Sequence, residues 1–417
     1  MNNKKGNVLA IGIMFFLFAM ISFVTGLQNP MGIIAKAQFG ATNLMSQLGN
    51  AANFIAYAFL GLPAGFLLKG KGYKFTALVA VTVGFVGVGI SYLSGIFESF
   101  PVYLLGAFVS GFSMCMLNTV VNPMLNTLGG GGNKGNQLIQ LGGSINSLSA
   151  TIVPVLAGYL IGEVTAQTQV ADVNPALFTA MGIFALAFVI ILFSYIPEPE
   201  LVAASETKEE KKEGTLESIK GALSHKNLVF GIIAIFLYVG IEVGIPNIAN
   251  LYMTDVEGLN IATAVAGSLV GAYWFLMLVG RLVGSAVGAK VSSKAMMVTV
   301  SSAAILFILL GIFLPKDITM TVLETQIPVA ILFFILCGLC TSVMWGAVFN
   351  LAVEGLGRYT SIASGLFMVM VCGGGILPLV QGAVADAAGY INSYWVLVAA
   401  LVYMLWFALV GSKPKKA

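Results

Sequence analysis

Charge is scarce in this chain. Of its 417 residues, 9% are Asp, Glu, Lys or Arg and 58% are hydrophobic. Soluble domains carry about 25% charged residues. A chain this poor in charge cannot cover a water-facing surface of its own size, which excludes a soluble enzyme and a nucleic-acid-binding module. Histidine is nearly absent: His225 stands alone in a polar stretch, so no metal site or catalytic group built on histidine is expected. Cysteine is limited to Cys115, Cys337, Cys340 and Cys372, each in an apolar run, and no disulfide framework is implied. Cys337 and Cys340 share CxxC spacing inside a helical run, where packing as small hydrophobes is the expected role. Inside the apolar runs there is no His cluster, Ser–Lys pair or pair of acids, so an integral-membrane enzyme has nothing to work with.

Apolar length is what the chain has instead. A bilayer-spanning helix takes about 20 apolar residues. Apolar runs between polar or Gly/Pro breaks predict twelve of them: 8–35, 46–69, 75–95, 101–127, 136–163, 175–196, 227–253, 261–289, 295–314, 325–352, 359–386 and 391–411. The fold class is therefore all-α, a polytopic membrane protein with twelve transmembrane helices. The first run follows Lys4 and Lys5, is long for a leader and shows no small-residue cleavage site, so it reads as a retained span. Lys and Arg set the orientation. With the N-terminus inside, eighteen of the twenty lie in cytoplasmic segments and only Lys36 and Lys316 lie opposite, which predicts both termini in the cytoplasm. The polar stretch 197–226 reads as a flexible cytoplasmic linker with a short amphipathic helix around Leu216 to Leu223. It divides the chain into 1–196 and 227–417, six spans each.

The halves repeat. Gly61-x-x-x-Gly65 recurs as Gly280-x-x-x-Gly284, and Ile152-Val153-Pro154-Val155-x-x-Gly158 as Ile376-Leu377-Pro378-Leu379-x-x-Gly382. Asn122 with Leu128-Gly129 recurs as Asn350 with Leu356-Gly357, while Pro30 and Pro246 break spans 1 and 7. In this order the matches describe a duplicated six-helix unit, two pseudo-symmetric bundles. Most of the 49 glycines let helices approach closely. Gly373-Gly374-Gly375 is expected to permit bending or tight packing of span 11.

Polar groups at mid-span depth are the informative ones, because burying them without partners costs several kcal/mol each. Gln28 and Asn29 precede Pro30 in span 1, and Asn50, Asn53 and Tyr57 lie in span 2. Asn118, Asn122 and Asn126 in span 4 are four apart and share one helical face. Gln140 and Asn146 follow in span 5. The second half adds Asn247, Asn250, Tyr273, Trp274, Trp345 and Asn350. Amides donate and accept at once, as sugar hydroxyls do, and tryptophan faces suit the C–H faces of a sugar ring. Such a set points to a neutral polyol or sugar rather than an anion or a lipophilic drug. Its rival role is bonding neighbouring helices together.

Acids are rarer at that depth. Glu242, one turn before Pro246 in span 7, is costly there and a functional candidate by default, as the carrier of a coupling proton. Glu354 and Asp386 are placed near cytoplasmic helix ends, where Arg358 or helix termini account for them. Arg281 is placed at the cytoplasmic end of span 8, as a gate or helix-end contact rather than a substrate ligand.

The motifs resemble the fucose–proton symporter family of the major facilitator superfamily, which includes bacterial glucose/galactose permeases. The blocks that carry the likeness are LPAGFLLKGKGYK (62–74), NTVVNPMLNTLG (118–129), FLYVGIEVG (236–244), FNLAVEGLGRYTSIASGL (349–366) and GGGILPLVQGAVADAAG (373–389). The resemblance implies a monomeric sugar transporter of a bacterial inner membrane, working by alternating access and needing no cofactor beyond a coupling ion, H+ or Na+. Departures matter. The family's fucose permease has acids where this chain has Asn29 and Asn118. It has a helix 5 Gln that falls at Gly143 and a helix 2 Gln that falls at Asn50, while Asn146 is retained. Glu242 resembles the helix 7 acid of the glucose/galactose members, which favours a hexose. The expected substrate set is Gln28, Asn29, Asn50, Asn118, Asn122, Asn146, Asn247, Trp274, Trp345 and Asn350. Glu242 is expected to couple the cation and Lys74 and Arg281 to gate. An uncoupled facilitator and a non-transporting sugar sensor are the alternatives; the short tail GSKPKKA argues against the sensor.

Overall fold

A computed structural model describes every residue except 1, 28–29, 33, 35–37, 39, 130–131, 163–167, 199–214, 288–290, 357–359 and 414–417. The first half contains α1 (Asn2–Gly26), a one-turn α2 (Asn43–Ser46), α3 (Leu48–Ile96), α4 (Phe100–Leu128), α5 (Gly132–Ile161) and α6 (Asn174–Phe193). A short α7 (Thr215–Leu223) leads to α8 (Lys226–Thr254), α9 (Thr263–Val287) and α10 (Ser293–Phe313). A hairpin of β1 (Thr319–Val322) and β2 (Thr325–Pro328) precedes α11 (Val329–Thr341), α12 (Met344–Val353), α13 (Thr360–Met370), α14 (Gly373–Ala388) and α15 (Tyr390–Trp406). The face that bears α7 is called the linker face below, and the opposite one the hairpin face.

Eleven helical stretches among the described residues are long and apolar enough to cross a membrane. The remaining predicted crossing, 46–69, falls in the first arm of α3. At 49 residues, a straight α3 would measure about 74 Å, far more than one ~30 Å bilayer core. It reverses at Gly72, whose φ of 84° suits glycine. The contacts of α4 prove the reversal. Gly111 packs on Asn53 and Gly106 on Ser91, so two α3 residues that would stand about 57 Å apart on a straight helix meet neighbouring turns of α4.

Two predicted spans are modified. The tenth begins at Val329 rather than 325, because Thr325–Pro328 pairs with β1 and Pro328 stands at the helix N-cap. It then breaks between Thr341 and Met344, where the Ser342 and Thr341 hydroxyls bond carbonyls three and four residues back and so compete with the helical ladder. The eleventh breaks at Val371–Cys372, just before the glycine triplet. The triplet also packs tightly, as expected. A Cβ at Gly373 would lie 1.9 Å from the Phe236 carbonyl, and Cβ atoms at Gly374 and Gly375 would press on Phe54 and Ala51 of the other half. The helix predicted in the linker is present as α7, packed on α8 and α13.

The two bundles echo each other in detail. Lys74, opening the second arm of α3, donates to the Ser194 carbonyl at the end of α6 (2.9 Å). Lys294, opening α10, donates to the Leu409 carbonyl at the end of the last helix (3.2 Å). The bundles meet along two seams, α5 against α9 and α3 against α13 and α14. Large apolar side chains such as Phe59, Phe193, Phe275 and Trp395 remain exposed around the outside, the belt that acyl chains would cover.

Candidate functional site

Glu242 lies 16 residues from the start of α8 and 12 from its end, near mid-depth. Its carboxylate oxygen is 3.6 Å from Arg281 Nη2, and the two side chains keep 15% and 18% exposure. A charged pair at this depth cannot face hydrocarbon and belongs in the bundle interior or on a water-filled cavity. Arg281 is therefore not confined to a helix end. Helical Cβ atoms tilt toward the N-terminus, which on α9 carries this long side chain back toward mid-depth. Its Nη1 donates to the Gly143 carbonyl of the other half (2.8 Å). The missing side chain makes room: a Cβ at Gly143 would already stand 3.4 Å from Nη1.

Neighbouring groups brace the pair. Tyr273 donates to the Glu242 carbonyl and stands 3.0 Å from the Thr341 hydroxyl, tying α8 to α9 and to the break in span 10. Tyr238, one turn before Glu242, sits beside both charges, with the Trp345 ring 6.0 Å away. Trp274 packs edge-on against Tyr273. Both tryptophans are half-buried.

From the first half, Asn118 donates to the Tyr57 hydroxyl (2.9 Å) and to the Met114 carbonyl. Asn122 donates to the Asn118 carbonyl, and Asn146 to the Phe18 carbonyl of α1 (3.0 Å). All three amides are half-buried, and each donor named here leaves the amide oxygen with acceptor capacity. Asn50 and Asn247 are placed differently. Asn50 donates to the Gly374 carbonyl (2.8 Å) and Asn247 to the Gln47 side chain (3.3 Å). Both are buried in contacts between the halves, on the hairpin side of Glu242.

Several expectations change. Asn350 is exposed at the linker-face end of α12 and donates to Ser293 of α10, because span 10 ends there, so it stands apart from the mid-depth cluster. Asp386 ends α14 at the hairpin face, opposite to Glu354, which caps α12 at the linker face. Its helix-terminus contact is real, but lies at the hairpin face. Lys74 bonds within its own half, beside a turn in which Glu198 accepts the Tyr73 and Lys74 amides (2.6 and 2.9 Å); the start of the linker is thus anchored. Gln28 and Asn29 lie outside the described residues, as do Arg358 and the side chains of Asn126 and Gln140. Sequence reasoning overlooked Gln47 and Tyr238. Gln47 could have been found as a further amide at the mouth of span 2; nothing set Tyr238 apart from other aromatic residues.

A family model described as Major Facilitator Superfamily matches residues 11–377. The chain belongs to the Major Facilitator Superfamily. This places it among transporters rather than enzymes. Among curated relatives of this facilitator, the glucose/galactose transporter of Brucella abortus (strain 2308) is 28% identical over 415 residues, covering 99% of this chain and 96% of the relative. The putative glucose/galactose transporter of Helicobacter pylori (strain ATCC 700392 / 26695) is 28% identical over 425 residues, covering 99% of each. A crystal structure of the Escherichia coli fucose:proton symporter superposes with a TM-score of 0.70 at 18% identity, covering 98% of this chain and all of the other. That likeness is one of fold.

Proposed function

We propose that this facilitator takes up a neutral hexose of the glucose or galactose type across a bacterial inner membrane, by alternating access and coupled to H+ or Na+ through Glu242. One observation carries the reading: a partly exposed Glu242–Arg281 pair at mid-depth, on the seam between the bundles. Half-buried amides (Asn118, Asn122, Asn146) and tryptophans (Trp274, Trp345) lie on the helices around it. Amides match hydroxyls as paired donors and acceptors, and the indoles offer flat apolar faces. The names of the relatives agree with this chemistry.

Arg281 spans the seam, so the charge state of Glu242 bears on a contact that must change when the bundles rock. With Glu242 ionised, Arg281 is shared between it and the Gly143 carbonyl. Once the acid is neutralised by a cation, Arg281 is free to change partners. Gln47–Asn247 and Asn50–Gly374 close the pocket toward the hairpin face in this state. On this reading the protein acts as a monomer with both termini in the cytoplasm, and with the hairpin side closed the sugar would reach the site from the linker face.

The test is uptake of labelled glucose and galactose into proteoliposomes under imposed pH or sodium gradients. Gradient-driven accumulation of one hexose is expected. Gradient-independent equilibration would leave a facilitator and remove Glu242 as coupling group; no flux of either sugar would remove the hexose assignment.

A further inference from the structure

The hairpin face holds a joint that the substrate pocket does not explain. Asp386, in the last turn of α14, accepts the backbone N–H groups of Asn43 (2.7 Å) and Leu44 (2.8 Å), the first two residues of α2 in the other half. Amides of a first helical turn have no intrahelical acceptor, and charged acceptors make the stronger hydrogen bonds. Close approach is built in, since a Cβ at Gly382, one turn earlier, would lie 2.7 Å from the Asn43 carbonyl. Tyr390, opening α15, donates to the Asn43 side-chain oxygen of the other half (2.7 Å), and its hydroxyl also lies against the Asp255 carboxylate at the C-cap of α8. The joint thus fastens the ends of α8, α14 and α15 to the start of span 2.

Both carboxylate oxygens of Asp386 are engaged on the opposite half. These bonds exist only while the hairpin face is closed, so they lower the energy of one state of the cycle and not the other. A group that merely braced its own bundle would stabilise both. We propose that Asp386 is the latch of the hairpin-face gate, the contact that must release before the pocket opens to that side. The proposal rests on the two-sided access argued above, but its test needs no sugar, so it can fail while the hexose assignment stands, and the reverse.

The test is the distance between spin labels in the full-length protein in lipid, measured by double electron–electron resonance. The four native cysteines are buried. One label pair, Glu98→Cys with Leu323→Cys, sits on exposed loops of the two halves at the hairpin face. A second, Thr127→Cys with Glu354→Cys, sits on exposed helix ends at the linker face. Asp386→Asn is expected to move population toward a longer hairpin-face distance, changing the open-to-closed ratio about tenfold, as loss of charge-assisted bonds implies. The linker-face pair should shorten in step, which local loosening would not produce. Tyr390→Phe should shift both pairs the same way by less, and it carries the test if Asp386→Asn does not fold. Unchanged distributions in a folded Asp386→Asn protein, or in Tyr390→Phe where the first cannot be made, would overturn the latch. So would a longer hairpin-face distance with no change at the linker face.

Discussion

At residue scale, Gly143 and Arg281 explain each other. A side chain at 143 would occupy the space through which the guanidinium reaches its carbonyl acceptor. Gly143→Gln, which restores the residue of the family's fucose permease, is therefore expected to displace Arg281 and weaken hexose-coupled proton or sodium flux, leaving expression and melting temperature near wild type. Unchanged coupling in that variant would remove Arg281 from the pathway. Asn118→Ala deletes the donor to Tyr57 and one candidate sugar contact. Affinity should fall about fivefold, a loss of ~1 kcal/mol typical of one hydrogen bond, and equilibrium binding of labelled sugar measures it. Glu242 was legible as soon as span 7 was drawn, since an acid there has few bland explanations. Its partner was not, because the placement of Arg281 followed the position of its backbone and ignored the tilt and length of its side chain.

At the scale of elements, apolar runs located the crossings, but continuity was beyond them. Spans 2 and 3 were read as separate crossings and are separate, because the chain reverses at Gly72, where Glu198 from the far end of the bundle caps the turn. Gly72→Ala must hold φ of 84° with a Cβ that would sit 2.2 Å from a Glu198 oxygen. The expected cost is roughly 1–3 kcal/mol for the backbone alone, read as a lowered Tm in detergent. Spans 10 and 11 were drawn unbroken, because hydroxyls and glycines are common within membrane helices and reveal a break only once their partners are known. Gly373→Ala should be among the least tolerated changes. A Cβ there meets the Phe236 backbone, which cannot move aside as a side-chain tip can, so loss of folded, monodisperse protein is expected on size-exclusion chromatography.

At the scale of the whole molecule, scarcity of charge, a central polar linker and repeated motifs were enough to read two six-helix bundles. The repeat extends to matched Lys clamps at the ends of both bundles. How the bundles lean on each other was not legible, because that depends on which amides meet across the seam. Asn50 and Asn247 looked like pocket residues and instead help seal the hairpin side; Asn350 belongs to a linker-face end. The surviving cluster is small, neutral apart from one ion pair, and divided between bundles. The measurement that bears on it most directly is counterflow of labelled glucose and galactose in proteoliposomes, set beside a ribonucleoside and a lipophilic cation. Hexose counterflow, saturable and shifted to higher concentration by Asn118→Ala, is the predicted result. Folded protein that exchanges neither hexose would contradict a sugar-binding pocket between the halves.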